Sequence, residues 1–389
     1  MSLLYFLVSA GTFNALGVAL PAMVGELKWS WKVAGSGYAL LGLACGLTSL
    51  LAAGSIRRLG VRATLLAGAA MLVAGFGALA LTRSTVVFLA ATSLIGVAFS
   101  FCTSVPGTHV LTAIFRRRST MVGAYFTIGA LGAVAGPLSY VFIARLAGWR
   151  GFWWAFAVAS GAAACLAAVA SPDRVDHDPA LDAPPDQVGP VRLVGALREW
   201  TVRQALASRQ FYVIVGAYTM YMLINTTAHG FAVEHLMERG ISQTAAATTL
   251  SLEALIGATV SVIGGIVGEK VRPKVLLLVC LAALIVGMSA LAAARGYALM
   301  AVFAIGVGVG FGLSFVAATM LLLTYFGQRA YLELYSMMCL ISTAAALGPA
   351  LAGWARDTVG GFAGVFYLCA LAALVMLVAT ALLRPPARR

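Results

Sequence analysis

The chain has 389 residues, of which 61% are hydrophobic and 10% are charged, and its formal net charge is +13. Soluble domains carry about a quarter charged residues, so this composition excludes a soluble globular protein. The six cysteines all lie in apolar stretches and lack the paired spacing of metal sites. We therefore expect neither a bound metal nor a cofactor.

Twelve apolar segments follow one another along the chain, and each is long enough to cross a hydrocarbon core of roughly 30 Å. The first has no basic region before it, which favours a membrane helix over a signal peptide. The interval 171–209 begins acidic and proline-rich, which predicts disorder, and ends basic and amphipathic, which predicts a helix at the membrane surface. The predicted spans are 3–25, 33–56, 63–82, 85–114, 120–146, 151–170, 210–235, 243–268, 275–294, 298–325, 333–355 and 361–383.

Basic residues predict the orientation in the membrane. An even number of spans places both termini and the interval 171–209 on one side, which also holds most of the 26 Lys and Arg residues. That side is expected to be the cytoplasm. We predict a multi-pass protein of the cytoplasmic (inner) membrane with both termini in the cytoplasm. Because topology explains the positive charge, we expect no nucleic-acid partner.

The two halves of the chain repeat each other. Four landmarks recur at an interval that is constant to within one residue: Asn14 with Asn225, Arg57 with Glu269, Phe115 with Phe326, and Gly136 with Gly348. This repeat predicts two parallel six-helix bundles, 1–170 and 210–389, joined by a cytoplasmic linker, 171–209, that contains the amphipathic helix. Parallel repeats of this kind place a substrate site between the halves, near the middle of the bilayer.

The loop after the second span, AGSIRRLGVRATLL, resembles the signature loop of the major facilitator superfamily. That signature has a Gly and an Asp before a basic-x-Gly-x-basic sequence, and here Ala53 and Arg57 replace the first two. The second-half copy, GGIVGEKVRPK, fits better. The resemblance covers nearly the whole chain and implies an all-α membrane protein with twelve transmembrane helices in two pseudo-symmetric six-helix bundles. We expect a cytoplasmic gate that includes His109, Arg57, Arg58, Arg62, Glu269 and Lys270.

Four further stretches resemble the monocarboxylate and oxalate–formate branch of this superfamily. They are IFRRRSTMVGAYFTIGALG, FAVEHLMERGISQTAA, LTYFGQRAYLELYSMM and GPALAGWARDTVGGFAGVF. The fifth span also carries Gly123, Gly132, Gly136 and Pro137 at the spacing of a motif of drug–proton antiporters. A face of small residues for helix packing is the alternative interpretation of those glycines.

One carboxylate, Glu253, lies deep in a predicted span, within SLEALIGATVSVIGG. A charge at the centre of a membrane helix costs about 2.5–3.5 kcal/mol on the insertion scale, and removal from water favours the protonated form of a carboxyl group. Proton coupling requires a carboxyl group that gains and loses a proton near neutral pH. We predict this role for Glu253, and a structural acid bonded to a neighbouring helix is the alternative.

Polar side chains form a stripe along the seventh span. Tyr218, Tyr221, Asn225 and His229 recur at spacings of three and four and therefore share one helix face. Because lipid disfavours such a face, we expect it to point inward. Histidine changes charge near neutral pH, so we predict that His229 and Glu253 form a proton-coupling pair on adjacent helices. A neutral histidine that donates to a backbone carbonyl is the alternative for His229.

The resemblance implies that the first, fourth, seventh and tenth spans line the cavity. In the tenth span, GVGVGFG has glycine at every second position, which predicts a flexible, closely packed helix rather than a phosphate loop. Within the predicted spans we find no Lys or Arg at mid-depth, which argues against a small dianion as substrate. The predicted substrate-binding residues are Asn14, Asn225, Tyr218, Tyr221, Phe311, Phe315, Ser104 and Thr108.

These observations predict a secondary transporter that works by alternating access. We predict proton-coupled symport of a monocarboxylate-like organic acid by a monomer in the lipid bilayer. Proton-driven efflux of an amphipathic or cationic compound is the alternative. The sequence contains no Walker A, HExxH or GxSxG motif, so we expect neither ATP hydrolysis nor another enzymatic activity. A receptor built on the same fold, which binds a ligand without transporting it, is the remaining class.

Overall fold

A computed structural model describes residues 1–114, 118–171, 200–268 and 271–386 of the protein. Side chains at positions 50, 104, 112–114, 118–123, 328, 329 and 332 fall outside the description as well. Every regular element in the described ranges is a helix, which confirms the predicted all-α class.

The helices agree with the predicted spans to within a few residues at most of their ends. Helix α1 contains a π-helical turn at Ala10–Asn14, α4 is interrupted at Thr103, and α11 contains a 3-10 turn at Thr343–Leu347. A short helix, Val202–Leu206, precedes α7. The helices are α1 Ser2–Leu27, α2 31–59, α3 61–81, α4 Thr85–Cys102 continued by Ser104–Ile114, α5 118–147, α6 149–170, α7 Arg209–Met237, α8 Gln243–Gly268, α9 Pro273–Ala293, α10 Tyr297–Phe326, α11 Gln328–Ser342 continued by Gly348–Val359, and α12 Ala363–Ala381.

Glycines at positive φ separate α2 from α3 and α5 from α6. Gly60 has φ 86° and Gly148 has φ 67°, which residues with a Cβ rarely adopt. The Ser55 and Thr64 hydroxyls lie 2.9 Å apart across Gly60, and the Tyr140 and Phe152 rings lie 5.1 Å apart across Gly148. A straight helix rises 1.5 Å per residue, so these pairs meet only because the chain reverses direction at each glycine.

Nine described helical segments are long and apolar enough to cross a membrane. Helix α7 is not among them, because polar residues such as Asn225, Thr226, Thr227 and His229 interrupt its apolar sequence. Lipid disfavours exposed polar side chains, and Thr227 and His229 are indeed buried. Of the predicted stripe, Tyr221 and His229 are buried, and Tyr218 and Asn225 are half-buried.

The chain divides into two compact units. Helices α7, α8 and α11 each contribute residues to both units, although all three belong to the second sequence repeat. The first unit contains Met1–Ala183, His229–Ser251 and Ala346–Gly361, and the second contains Pro184–Ala228, Leu252–Ala345 and Phe362–Arg389. The predicted boundaries 1–170, 171–209 and 210–389 stay a prediction, and most of the interval 171–209 lies outside the described residues.

The glycines of α5 bring its backbone against α1. A Cβ added to Gly136 would lie 2.5 Å from the carbonyl oxygen of Ala10, and one added to Gly132 would meet the carbonyl oxygen of Phe6. Small residues of this kind let membrane helices pack closely. The packing interpretation of Gly132 and Gly136 is therefore confirmed.

The sequence repeat is also visible in two helix caps. In the first unit, Arg62 Nε donates to the carbonyl oxygen of Ser171, at the end of α6, over 3.0 Å. In the second unit, Lys274 Nζ donates to the carbonyl oxygens of Ala381 and Leu383, at the end of α12, over 2.7 and 2.8 Å. The last carbonyls of a helix have no partner within it, and a cation there also interacts favourably with the helix dipole. Arg62 and Lys274 occupy equivalent positions of the two signature loops, so each loop ties its third helix to its sixth.

Replacing either cap, as Arg62→Met or Lys274→Met, should destabilise the unit that contains it. Loss of a cation at a helix C-terminus costs about 1 kcal/mol, which corresponds to a melting temperature lower by roughly 2–4 °C. Scanning fluorimetry of the purified protein in detergent measures the effect. Arg58→Met, at an exposed position of the same loop, is the control and should melt like the wild type; equal melting of all variants would contradict the capping role.

Candidate functional site

Glu253 lies in the middle of α8, and only 1% of its surface is exposed. Helix α10 passes directly beside it: a Cβ added to Gly308 would lie 2.7 Å from the carbonyl oxygen of Glu253. One turn later, a Cβ added to Gly312 would lie 2.6 Å from the carbonyl oxygen of Gly257. The two backbones are therefore in contact at Glu253 and again one turn after it.

The alternating glycines of α10 serve two different neighbours. Gly308 and Gly312 face α8, whereas Gly306 and Gly310 face α9, where a Cβ on Gly306 would lie 2.6 Å from the Cα of Gly287. Residues four apart lie on one face of a helix, so a glycine at every second position provides two close-packing faces. The predicted close packing of GVGVGFG is confirmed, and its predicted flexibility stays a prediction.

Tyr221 of α7 packs against two residues of α10 near Glu253, within the second unit. The rings of Tyr221 and Phe311 are stacked, with centroids 6.1 Å apart and planes 5° apart. The Tyr221 hydroxyl lies within hydrogen-bonding reach of Ser314 and near enough to the Glu253 carboxylate to interact with it electrostatically. We call these four residues, Glu253, Tyr221, Phe311 and Ser314, the Glu253 cluster.

Ser314 was not predicted as a site residue. Its hydroxyl donates to the carbonyl oxygen of Phe311 over 2.9 Å, which is a common arrangement inside helices. The signal in the sequence was a lone hydroxyl within VGFGLSF, one turn beyond a predicted lining residue. Its proximity to Tyr221 depends on how α7 packs against α10, which the sequence does not encode locally.

His229 and Glu253 fall in different compact units. Only 8% of the His229 surface is exposed, and its backbone carbonyl lies where a Cβ on Gly17 of α1 would be. The end of α7 that carries His229 is thus packed against α1. The predicted coupling pair of His229 with Glu253 stays a prediction.

The remaining predicted lining residues occupy varied environments. Asn14 ends the π-helical turn of α1, and its Nδ2 donates to the carbonyl oxygen of Ser9 over 2.8 Å; such turns are frequent at functional sites. Tyr218 is half-buried and packs on Tyr221, with ring centroids 5.9 Å apart. Asn225 is also half-buried, and Phe315 is 47% exposed and packs edge-on against Tyr335.

Helix α4 is interrupted at Thr103, whose carbonyl oxygen accepts a hydrogen bond from the Tyr125 hydroxyl over 2.9 Å. Thr108 donates to the carbonyl oxygen of Val105 within the same helix over 3.1 Å. The side chain of Ser104 lies outside the described residues. The predicted roles of Ser104 and Thr108 in substrate binding stay predictions.

The predicted gate residues are only partly described. His109, Arg57 and Arg58 are exposed, Arg62 caps α6, and Glu269 and Lys270 lie outside the described residues. The predicted gate of these six residues stays a prediction. Within the described ranges, no group of three His, Cys, Asp or Glu side chains is arranged to hold a metal ion.

Comparisons with known proteins place this geometry in context. Residues 1–346 match the profile of the Major Facilitator Superfamily. No curated protein matches the chain. The solved structure of the nucleoside transporter NupG is similar, with a TM-score of 0.74 and 14% identity over 98% of this chain and 96% of that one.

A second similar structure is that of a bacterial homologue of the human lysosomal transporter Spinster, in an inward-facing and unoccupied conformation. It has a TM-score of 0.72 and 17% identity over 98% of this chain and 94% of that one. At such low identity, both likenesses establish the fold alone. With the profile match, they confirm the predicted superfamily fold. None of these comparisons supports the predicted monocarboxylate branch.

Gly308→Ala should destabilise the protein, because the added methyl would lie 2.7 Å from the Glu253 carbonyl oxygen and 2.9 Å from Ile256. Overpacking of this kind costs about 1–3 kcal/mol, and the melting temperature in detergent measures it. Gly265→Ala in α8 is the matched control, because a Cβ there meets nothing within 4 Å and alanine favours helix. A Gly308→Ala protein that melts like the wild type would contradict the described contact of α8 with α10.

Proposed function

Because the chain belongs to the Major Facilitator Superfamily, we propose that it is a secondary transporter that works by alternating access and couples transport to protons through Glu253. The observation that carries this proposal is the burial of the carboxylate, which is 1% exposed in a helix that is apolar enough to span a membrane. Keeping an ionised carboxylate there costs several kcal/mol. Binding a proton removes that cost, so the protonation state of Glu253 depends on whether water reaches it.

The surroundings of Glu253 support a change of protonation during transport. The Tyr221 hydroxyl lies near the carboxylate, and a hydroxyl can donate to an ionised carboxylate or accept from a protonated one. Helices α8 and α10 are in backbone contact at Gly308 and Gly312, which limits the movement of Glu253 within its own unit. Access from either side of the membrane would then change mainly by movement of other parts of the protein.

For the substrate, we propose an organic monocarboxylate carried together with the proton. In the described helices, every Lys and Arg lies near a helix end, so a substrate carboxylate needs neutral donors. A protonated Glu253 can donate a short O–H···O⁻ hydrogen bond to such an anion, and Tyr221 can donate a second. Each anion would then require one proton, which is the stoichiometry of symport.

Export of an aromatic cation is the second candidate. The rings of Tyr221 and Phe311 are stacked, with Tyr221 near the carboxylate, and a cation above an aromatic ring gains about 0.5–2 kcal/mol. In that case, the cation and the proton would compete for ionised Glu253, which is the basis of antiport. The similar structure of a nucleoside transporter adds planar nucleosides to the compounds that deserve a test.

Three further properties belong to the same proposal. The chain acts as a monomer in the cytoplasmic membrane, with both termini in the cytoplasm. Its two six-helix bundles are 1–170 and 210–389, joined by the cytoplasmic interval 171–209. We expect no enzymatic activity, in keeping with the general behaviour of this superfamily.

A substrate panel separates the candidates. Purified protein in liposomes is tested for uptake of labelled lactate, uridine and tetraphenylphosphonium, with the pH gradient imposed in either direction. Symport predicts that lactate accumulates when the outside is acidic, and antiport predicts that the cation accumulates when the inside is acidic. Movement of none of the three under either gradient would contradict both candidates.

Glu253→Gln should reduce accumulation driven by the pH gradient by at least about tenfold, because glutamine cannot gain or lose a proton. Exchange of labelled for unlabelled substrate should persist, since it needs no net proton movement. The measurement is uptake in proteoliposomes by protein whose melting temperature matches the wild type.

Glu333→Gln, at an exposed carboxylate of α11, is the matched control and should accumulate substrate normally. Full accumulation by the Glu253→Gln protein would refute its role in proton coupling while leaving the fold and family unaffected.

A further inference from the structure

The first compact unit contains two segments that belong, in sequence, to the second repeat. These are 229–251, from α7 and α8, and 346–361, from α11. They pack backbone to backbone against α1 and α2: a Cβ on Gly17 would meet the carbonyl oxygen of His229, and one on Gly35 would meet that of Pro349. A Cβ on Gly353 would likewise meet the carbonyl oxygen of Trp31. We call this set of contacts the clasp.

A carboxylate closes one end of the clasp. Asp357 of α11 accepts hydrogen bonds from two backbone N–H groups in the first turn of α2: Trp31 N donates to Oδ1 over 3.1 Å, and Lys32 N donates to Oδ2 over 2.8 Å. Ser30 Oγ accepts the next N–H, from Val33. The first N–H groups of a helix have no partner within it, and a negative charge there also interacts favourably with the helix dipole. Asp357 therefore adds, from the other repeat, a second cap to the one that Ser30 provides.

Other side-chain bonds lie close to these contacts or extend them. Arg356 donates to Glu238, at the end of α7, through Nε over 2.9 Å and through a second guanidinium nitrogen. Two further bonds join the repeats: Gln243 Nε2 donates to the carbonyl oxygen of Val18 over 3.0 Å, and an Arg145 guanidinium nitrogen donates to Thr244 Oγ1 over 2.9 Å.

The position of Asp357 suits a contact that opens and closes. Helix α1 starts at the N-terminus and crosses to the opposite face, where α2 starts. Asp357 contacts α2 at that start and therefore lies at the face opposite the termini. Asp357 is exposed there, so on opening, water can hydrate both the carboxylate and the freed N–H groups. A hydrogen bond exchanged for water contributes only about 0.5–1.5 kcal/mol, or about 1.5–3 kcal/mol with a charged partner. Polar contacts of this strength favour the closed state without making it permanent.

We propose that the clasp is the gate on the face opposite the termini and that Asp357 is its latch, released once in each transport cycle. This proposal rests on the alternating-access transport proposed above, because only a protein that opens that face needs to release these contacts. The three glycine contacts set the closed geometry, and the Asp357 cap sets how strongly it is favoured.

Distance measurements between spin labels test the latch without any substrate. One label is attached at Gly25→Cys, near the end of α1, and the other at Gly361→Cys, just after α11. Each repeat thus carries one label, and a Cβ at either position meets nothing within 4 Å. The background lacks the six native cysteines. Double electron–electron resonance in lipid nanodiscs then reports the fractions of molecules with short, closed distances and long, open distances.

Asp357→Ala should raise the ratio of open to closed molecules by roughly tenfold, the size expected for loss of a charged helix cap. Asp357→Asn should raise it less, because the amide oxygen still accepts an N–H bond but carries no charge. Gly35→Ala should also deplete the closed population, because its methyl would meet the Pro349 carbonyl oxygen. Thr358→Ala is the matched control: this exposed neighbour bonds only to carbonyls of its own helix, and its distances should equal those of the wild type.

Wild-type distances in Asp357→Asn and Gly35→Ala, in protein that melts normally, would overturn the proposal even if Asp357→Ala fails to fold. A shift of the same size in Thr358→Ala would also overturn it. The outcome is separate from proton coupling: a full distance shift alongside an active Glu253→Gln protein would support the latch and refute the proton site. Unchanged distances alongside an uncoupled Glu253→Gln protein would refute the latch and support the proton site.

Discussion

Contact between helix backbones at glycine is the constraint on which the rest of the described structure depends. In a bilayer, the lipid tails are as apolar as leucine, so helices gain little by burying apolar side chains against each other. They associate instead through close van der Waals contact and interhelical hydrogen bonds, which small residues permit. Gly132 and Gly136 bring α5 against α1, Gly308 and Gly312 bring α10 against α8, and Gly35 brings α2 against α11.

This constraint explains how an acid is kept in the apolar part of the second unit. Helix α8 touches α10 through backbone atoms at Glu253 and one turn after it, and the carboxylate is buried there. A longer side chain at Gly308 or Gly312 would separate the helices and open space for water. The glycines therefore contribute to the burial of Glu253, and burial disfavours the charged form of a carboxyl group.

The clasp combines the same glycine contacts with polar bonds at a helix end. Glycine contacts define a single closed arrangement because packed backbones are not continuously deformable. Helix-end bonds are easily exchanged with water at the membrane surface, so they adjust the free-energy difference between closed and open states by a small amount. A two-state gate needs a defined closed arrangement and a small free-energy difference between its states. The difference must be small because a ligand shifts an equilibrium only by its difference in affinity for the two states.

The sequence by itself determined the helical class, the positions of the twelve helices and the internal repeat, because the length and apolar character of membrane helices are local properties. It also identified Glu253, since a carboxylate within an apolar segment is conspicuous without a structure, and it offered packing as one interpretation of the α5 glycines. The tertiary structure alone decided which neighbours each glycine touches, that Tyr221 stacks on Phe311 near Glu253, and that Asp357 caps α2. Those contacts join residues far apart in the chain, Asp357 to Trp31 for example. They depend on how the helices are arranged and rotated about their axes, which packing fixes and local sequence does not.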